Sequence, residues 1–134
     1  MLRSVSFSVP LVRGKGRPRF GKGKVYTPRA TREAEAIVAA AYADAGGVKL
    51  PSGVPVQVII SITRNVRGDL RKRQGDYQPD IDKPDADNVA KLVLDALNGV
   101  AYEDDAQVNG LCVFKQDRKR GQRPCTRVHV SWEE

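Results

Sequence analysis

Residues 54–63, VPVQVIISIT, put Val54, Val56, Val58, Ile60 and Ile62 at every second position. Side chains two apart on a strand share a face, so the segment reads as a central, largely buried strand with a sheet built around it. Toward the N terminus, TREAEAIVAAAYADAGG (31–47) spaces Ala34, Ile37, Val38, Ala41, Tyr42 and Ala45 at three and four. That period predicts a helix, with Thr31 or Thr27 as its N-cap and Gly46-Gly47 as its stop. RSVSFSV (3–9) alternates serines with Val5, Phe7 and Val9 and predicts a half-buried strand. Between them, residues 10–28 are rich in Gly, Pro and basic residues, which suits an exposed loop with a short strand at Lys24–Tyr26.

Toward the C terminus, RNVRGDLRKRQGDYQPDIDKP (64–84) is a long polar run without periodicity. It is longer than an ordinary connection, so it reads as disordered or as a binding loop, and the cluster Arg71, Lys72, Arg73 favours binding. A second helix is expected over Asp87–Asn98, with Val89, Leu92, Val93, Ala96 and Leu97 inward and Asn98-Gly99 as its end. QVNGLCVF (107–114) and CTRVHVSW (125–132) then read as two strands of a hairpin whose basic tip holds Arg118, Lys119 and Arg120. The expected order is β-α-β-loop-α-β-β: a single α+β domain over residues 1–134, with a mixed β-sheet packed against two main helices.

A length of 134 residues with 40% hydrophobic content fits one core. No run approaches a membrane span and the opening MLRSVSFSVPLVRG lacks the features of a signal peptide, so no membrane association and a cytoplasmic location are expected. Cys112 and Cys125 form no CxxC pair, which argues against zinc. The charge of +7 is unevenly placed. Before the first acid, Glu33, stand Arg3, Arg13, Lys15, Arg17, Arg19, Lys22, Lys24, Arg29 and Arg32, a basic arm whose natural partner is a polyanion.

Chemistry concentrates in PDIDKPDADNVAKLVLDALNGVAYEDDAQV (79–108). Asp85 and Asp87 stand just before the second helix, and Glu103-Asp104-Asp105 lies beyond it. Taken singly, Asp87 could cap the helix, Asp85 could favour its dipole, and Asp87, Lys91 and Asp95 could form a string of surface ion pairs worth about 0.3–0.5 kcal/mol each. Three consecutive acids repel one another unless a cation offsets them. The helix is roughly 17 Å long and the return path can cover that distance, so Asp105 can come back beside the helix start. Hard oxygen ligands without Cys or His suit Mg²⁺ or Mn²⁺, whereas Pro84 and Asp85 fall where an EF-hand needs a ligand and a glycine.

This segment resembles the RusA endodeoxyribonucleases, which resolve Holliday junctions. The likeness runs through Lys83-Pro84-Asp85-Ala86-Asp87-Asn88, Lys91, Leu94–Gly99 and Tyr102–Val108, and the N-terminal KGRPRF and YTP are similar to phage and prophage members. The resemblance implies that Asp85, Asp87 and Asp105 form a metal-binding catalytic triad, with Lys91 as catalytic lysine and Asp104 as a supporting carboxylate. It also implies a homodimer that cuts two strands of a four-way DNA junction. One or two Mg²⁺ ions, with Mn²⁺ as a substitute, would activate water and hold the scissile phosphate. Lys15, Arg17, Arg19, Lys22, Lys24, Arg71, Lys72 and Arg73 are the candidate phosphate contacts. His129, in an alternating strand, reads as structural. Two alternatives stay open: a non-catalytic basic DNA-binding module, and a metal-dependent nuclease acting on flaps or RNA.

Overall fold

The computed structural model describes residues 1–68 and 75–134. Its elements are β1 (Leu2–Val9), β2 (Arg19–Gly21), β3 (Lys24–Tyr26), α1 (Arg29–Asp44), β4 (Val56–Thr63), β5 (Tyr77–Gln78), α2 (Ala86–Leu97), a 3₁₀ turn (Asp105–Gln107), β6 (Val108–Lys115), β7 (Arg118–Lys119) and β8 (Cys125–Glu133). The expected order of main elements holds. The main sheet runs β1-β8-β4-β6, with β4 antiparallel to β8 and parallel to β6. It is a mixed sheet in an α+β domain.

Strand β4 is central because both its edges are paired, and Val56, Val58, Ile60 and Ile62 on one face are fully buried. Its other face is open, with Ile59 43% exposed, so the strand is buried on one side only. Val5, Phe7 and Val9 of β1 and Val128, Val130 and Trp132 of β8 extend the same apolar face, which α1 and α2 cover. Phe7 meets Tyr42 of α1 edge to face at 5.9 Å, and the Tyr42 hydroxyl donates to Val48 O. Gly47 must be small here, because a Cβ would come within 2.3 Å of the Tyr42 ring.

Two expectations change. The last two long strands are not a hairpin: β6 and β8 flank β4 on opposite sides. Parallel neighbours need a crossover, and β4-α2-β6 is one, so β8 takes the free side of β4. Two strand spacings, about 10 Å, are easily spanned by the link between them. The first helix also lacks a threonine cap. Pro28 occupies that position, and the Thr31 hydroxyl, inside the first turn, instead accepts from Gly16 N.

The basic link folds back onto the segment before α2 rather than standing free. Strand β7 pairs with β5, and the Asp80 carboxylate, wholly buried, accepts two hydrogen bonds from Arg64 at 2.8 and 2.7 Å. Lys115 and Arg118 each lie 3.6 Å from the same carboxylate. Asp82 pairs with Arg67 and Arg118, while its carbonyl accepts from Arg64 and Lys115. Arg120 pairs with Asp76, so of the expected basic tip only Lys119 has no ion pair among the described residues. This cluster ties the ends of β4 and β6 to the chain three residues before Asp85. Arg71, Lys72 and Arg73 lie outside the described residues. Among those residues no helix is long and apolar enough to cross a membrane.

Burial alone would raise the Asp80 carboxyl, but the Arg64 hydrogen bonds and the charges of Arg64, Arg118 and Lys115 outweigh it and hold the group low. A carboxyl held low when folded takes up its proton more readily when unfolded. Its stabilisation is therefore complete above the ordinary value of about 3.9 and is lost as pH falls toward the lower folded value. Asp80→Asn is expected to lower stability at neutral pH by about 3–5 kcal/mol and to flatten the acid limb of a urea-unfolding profile. An acid limb that the substitution leaves unchanged would assign it to other groups.

Candidate active site

Helix α2 has two stripes. Val89, Ala90, Leu92, Val93, Ala96 and Leu97 bury against the sheet and α1, which leaves Asp87, Lys91 and Asp95 in one row at i, i+4 and i+8. That row forms one wall of a cleft of about 480 Å³. Leu111 and Val113 of the edge strand β6 form its floor, and Asp105 closes the end. Carboxylates from α2 and from the turn before β6 thus meet over an apolar base with a lysine between them.

Asp85, not Asp87, is the N-cap residue of α2, and its carboxylate makes no capping hydrogen bond. It is 56% exposed and pairs with Lys83 at 3.0 Å, beside the cleft rather than within its lining. Asp87, in the first turn, is exposed and has no hydrogen bond or ion pair among the described residues. The same holds for Lys91. The string of surface ion pairs along α2 is therefore absent among those residues, and Asp95 pairs instead with Lys15 at 2.9 Å.

The acidic turn is rigid. Asp104 caps it by accepting from Ala106 N, and the Gln107 side chain accepts from Glu103 N and Asp104 N. Gln107 Nε2 donates to Pro51 O and Val54 O, which fastens the turn to the chain entering β4. Just beyond, a bulge shifts the β4–β6 register between Val56 and Gln57. Tyr102, buried with its hydroxyl donating to Leu94 O, holds the return from α2. Its pKa is raised, first by burial and then by the charges of Asp105, Asp95 and Asp104. Asp105 is raised as well, by a hydrogen bond with Asp104, by burial, and by the charges of Asp104 and Asp95.

A cation placed among these like charges would offset their repulsion. All the donors are hard carboxylate oxygens, and both cysteines lie elsewhere, so the set fits Mg²⁺ or Mn²⁺. Among the described residues no three acidic or other metal-ligating side chains already sit together as a closed site. The carboxylates would have to turn inward to hold an ion.

The basic residues divide. The Lys15 side chain is only 17% exposed, and its Nζ bridges Glu35 of α1 and Asp95 of α2 at 2.9 Å each. Burial would lower its pKa, but the hydrogen bonds and charges of those two carboxylates raise it. Lys15 N also donates to Asn88 O, so the root of the basic loop is pinned beside Asp87. Arg17 and Arg19, with Arg13, line a cavity of about 530 Å³ at the start of α1, and Lys22 and Lys24 are exposed on the β2–β3 ribbon. His129 lies on the open sheet face against Ser6 Oγ, at 2.6 Å. In the sequence Asp95 reads as part of a string of surface helix charges with Asp87 and Lys91, and it also falls within the Leu94–Gly99 stretch of the family likeness. Nothing local marked Glu35.

Asp104→Asn keeps a capping oxygen and removes a like charge beside Asp105. The Asp105 carboxyl is expected to titrate lower in that variant, toward the ordinary aspartate value, when followed by carbonyl-carbon NMR. An unchanged Asp105 titration would mean that Asp104 is not the source of its raised pKa.

The sequence matches the family described as endodeoxyribonuclease RusA over residues 10–131. It is also similar to the uncharacterized protein YqaN of Bacillus subtilis (strain 168), at 30% identity over 118 residues, 81% of this chain and 82% of that one. A match that runs through β4, α2, the acidic turn and β8 leaves little of the fold outside it: this protein belongs to the RusA endodeoxyribonuclease family.

Proposed function

We propose that this chain is a Mg²⁺-dependent, structure-specific endonuclease that resolves four-way DNA junctions by paired nicks. The observation that carries the reading is the cleft that Asp87 and Asp105, from separate segments, line together with Lys91, whose ammonium has no ion pair among the described residues. Family membership supports the reaction class. The junction as substrate calls for a homodimer, since two cuts in a near-symmetric junction need two sites related by a two-fold axis.

In this reading Asp85, Asp87 and Asp105 would hold the divalent ion, with Asp104 and Asp95 adding negative potential. The ion supplies Lewis-acid charge stabilisation at the phosphate. Lys91, aimed into the cleft, hydrogen-bonds a non-bridging oxygen of the scissile phosphate and stabilises the charge that builds there. The apolar floor of Leu111 and Val113 limits water around these charges, which strengthens them. Lys83 offsets part of the charge of Asp85. Arg17, Arg19, Lys22 and Lys24 contact backbone phosphates, and Lys15 acts by anchoring the loop that bears them.

On a synthetic mobile four-way junction, wild-type protein with Mg²⁺ is expected to give paired nicks, and EDTA or Asp87→Asn to abolish them. Lys91→Ala should bind the junction normally while cleavage falls about 10²–10³-fold. Binding without cleavage under any divalent ion would reduce the protein to a DNA-binding module. Preferential cutting of flaps or RNA in direct competition would keep the chemistry and replace the substrate. A normal cleavage rate in Lys91→Ala would remove the lysine from the mechanism.

A further inference from the structure

The β2–β3 ribbon carries apolar side chains that nothing among the described residues covers. Phe20 is 83% exposed and Val25 59%, and the two stand opposite each other across the ribbon. The opposite face is accounted for within the ribbon: Tyr26 lies over Gly21, where a Cβ would meet the ring at 2.8 Å. The two strands are joined by Lys22-Gly23, both at positive φ, as in the tight turns that suit hairpin twist. Three residues a side cannot stabilise themselves by exposing a phenyl ring to water.

The charged residues next to this apolar pair along the chain are all cationic. Arg17, Arg19, Lys22 and Lys24 flank it, and no acid precedes Glu33 in the chain. A second copy would present the same cations to the ribbon and be repelled. An occupant with a flat apolar face and attached negative charge is a nucleobase with its phosphates. The root of the ribbon is fixed relative to the cleft: Lys15 N bonds to Asn88 O, Gly16 N to Thr31 Oγ1, and Gly14 is packed so tightly that a Cβ would strike the Asn88 side chain at 2.6 Å. Four residues separate Gly16 from Phe20, at most about 14 Å of chain. Bases within a duplex are stacked on both sides and closed to such a ring, whereas the pairs that end at a branch point lose a stacking neighbour once the coaxial arms are opened by a bound protein.

We infer that the Phe20–Val25 face of the β2–β3 ribbon stacks on a base exposed at the branch point of DNA held in the carboxylate cleft. This rests on the nuclease reading above and adds to it a residue that recognises branching. Phe20 touches no core residue, so its replacement leaves the fold intact.

The test is a four-way junction with 2-aminopurine at the crossover, bound in Ca²⁺ so that the strands remain whole, with plain duplex in parallel. Wild-type protein should raise the 2-aminopurine fluorescence as the base unstacks. Phe20→Ala should lose that rise and about tenfold of the preference for junction over duplex, with duplex affinity held within about twofold. Phe20→Trp should keep both. Equal fluorescence and equal preference in Phe20→Ala would overturn the inference, as would a change of sedimentation state in that variant with the fluorescence untouched, which would make the face a protein contact. If the wild type binds no junction at all, the nuclease reading itself fails before any substitution is made, and the ribbon assignment falls with it.

Discussion

One-sided burial of the sheet governs the arrangement of the rest. The strands offer a single continuous apolar face, and α2 can satisfy its own apolar stripe only by lying on it beside α1. Once Val89, Val93, Ala96 and Leu97 point inward, a helix has no freedom left in where Asp87, Lys91 and Asp95 point. They face the edge strand β6, whose parallel pairing with β4 is itself a consequence of α2 being the crossover. The acidic turn then stands at the mouth of β6 because the chain must climb back there after α2. Packing and chemistry are consequences of the same placement.

The strand β4 and the helix α2 are legible because their burial is periodic. Alternation reports which face of a strand is apolar, and the spacing of three and four reports the stripe of a helix. Neither reports which strand lies next to which. Strands β6 and β8 look like a hairpin because they are consecutive, and β4 separates them because both its edges needed partners. The carboxylates Asp87 and Asp105 are legible as a pair through chain length and like charge, and the cleft brings them to one place with Lys91. Asp85 stands at its side, facing Lys83.

What the sequence hides is the pairing of charges far apart in the chain. Asp80 and Asp82 look, in one dimension, like further members of the acidic set. In the fold they are matched to Arg64, Arg67, Lys115 and Arg118, as many as 38 residues away. The match has no local signature, because it depends on two loops meeting at the ends of β4 and β6. The same holds for Lys15, whose partners Glu35 and Asp95 belong to different helices.

These pairings change what the charge of +7 means. Cations that the fold uses for its own acids, Arg64, Lys115, Arg118 and Lys15, add little field at the surface, since a buried pair is nearly neutral at a distance. Arg17, Arg19, Lys22 and Lys24, without an ion pair among the described residues, stand on the loop and ribbon of residues 16–26, pinned at their root beside Asp87. The acids likewise separate into neutralised ones, Asp80 and Asp82, and mutually repelling ones around Asp105. A polyanion approaching this surface would meet those cations outside the cleft, whereas the like charges of Asp95, Asp104 and Asp105 disfavour a phosphate within it. The unfavourable electrostatics of the cleft are therefore local, since the charges compensated elsewhere in the fold leave them undisturbed.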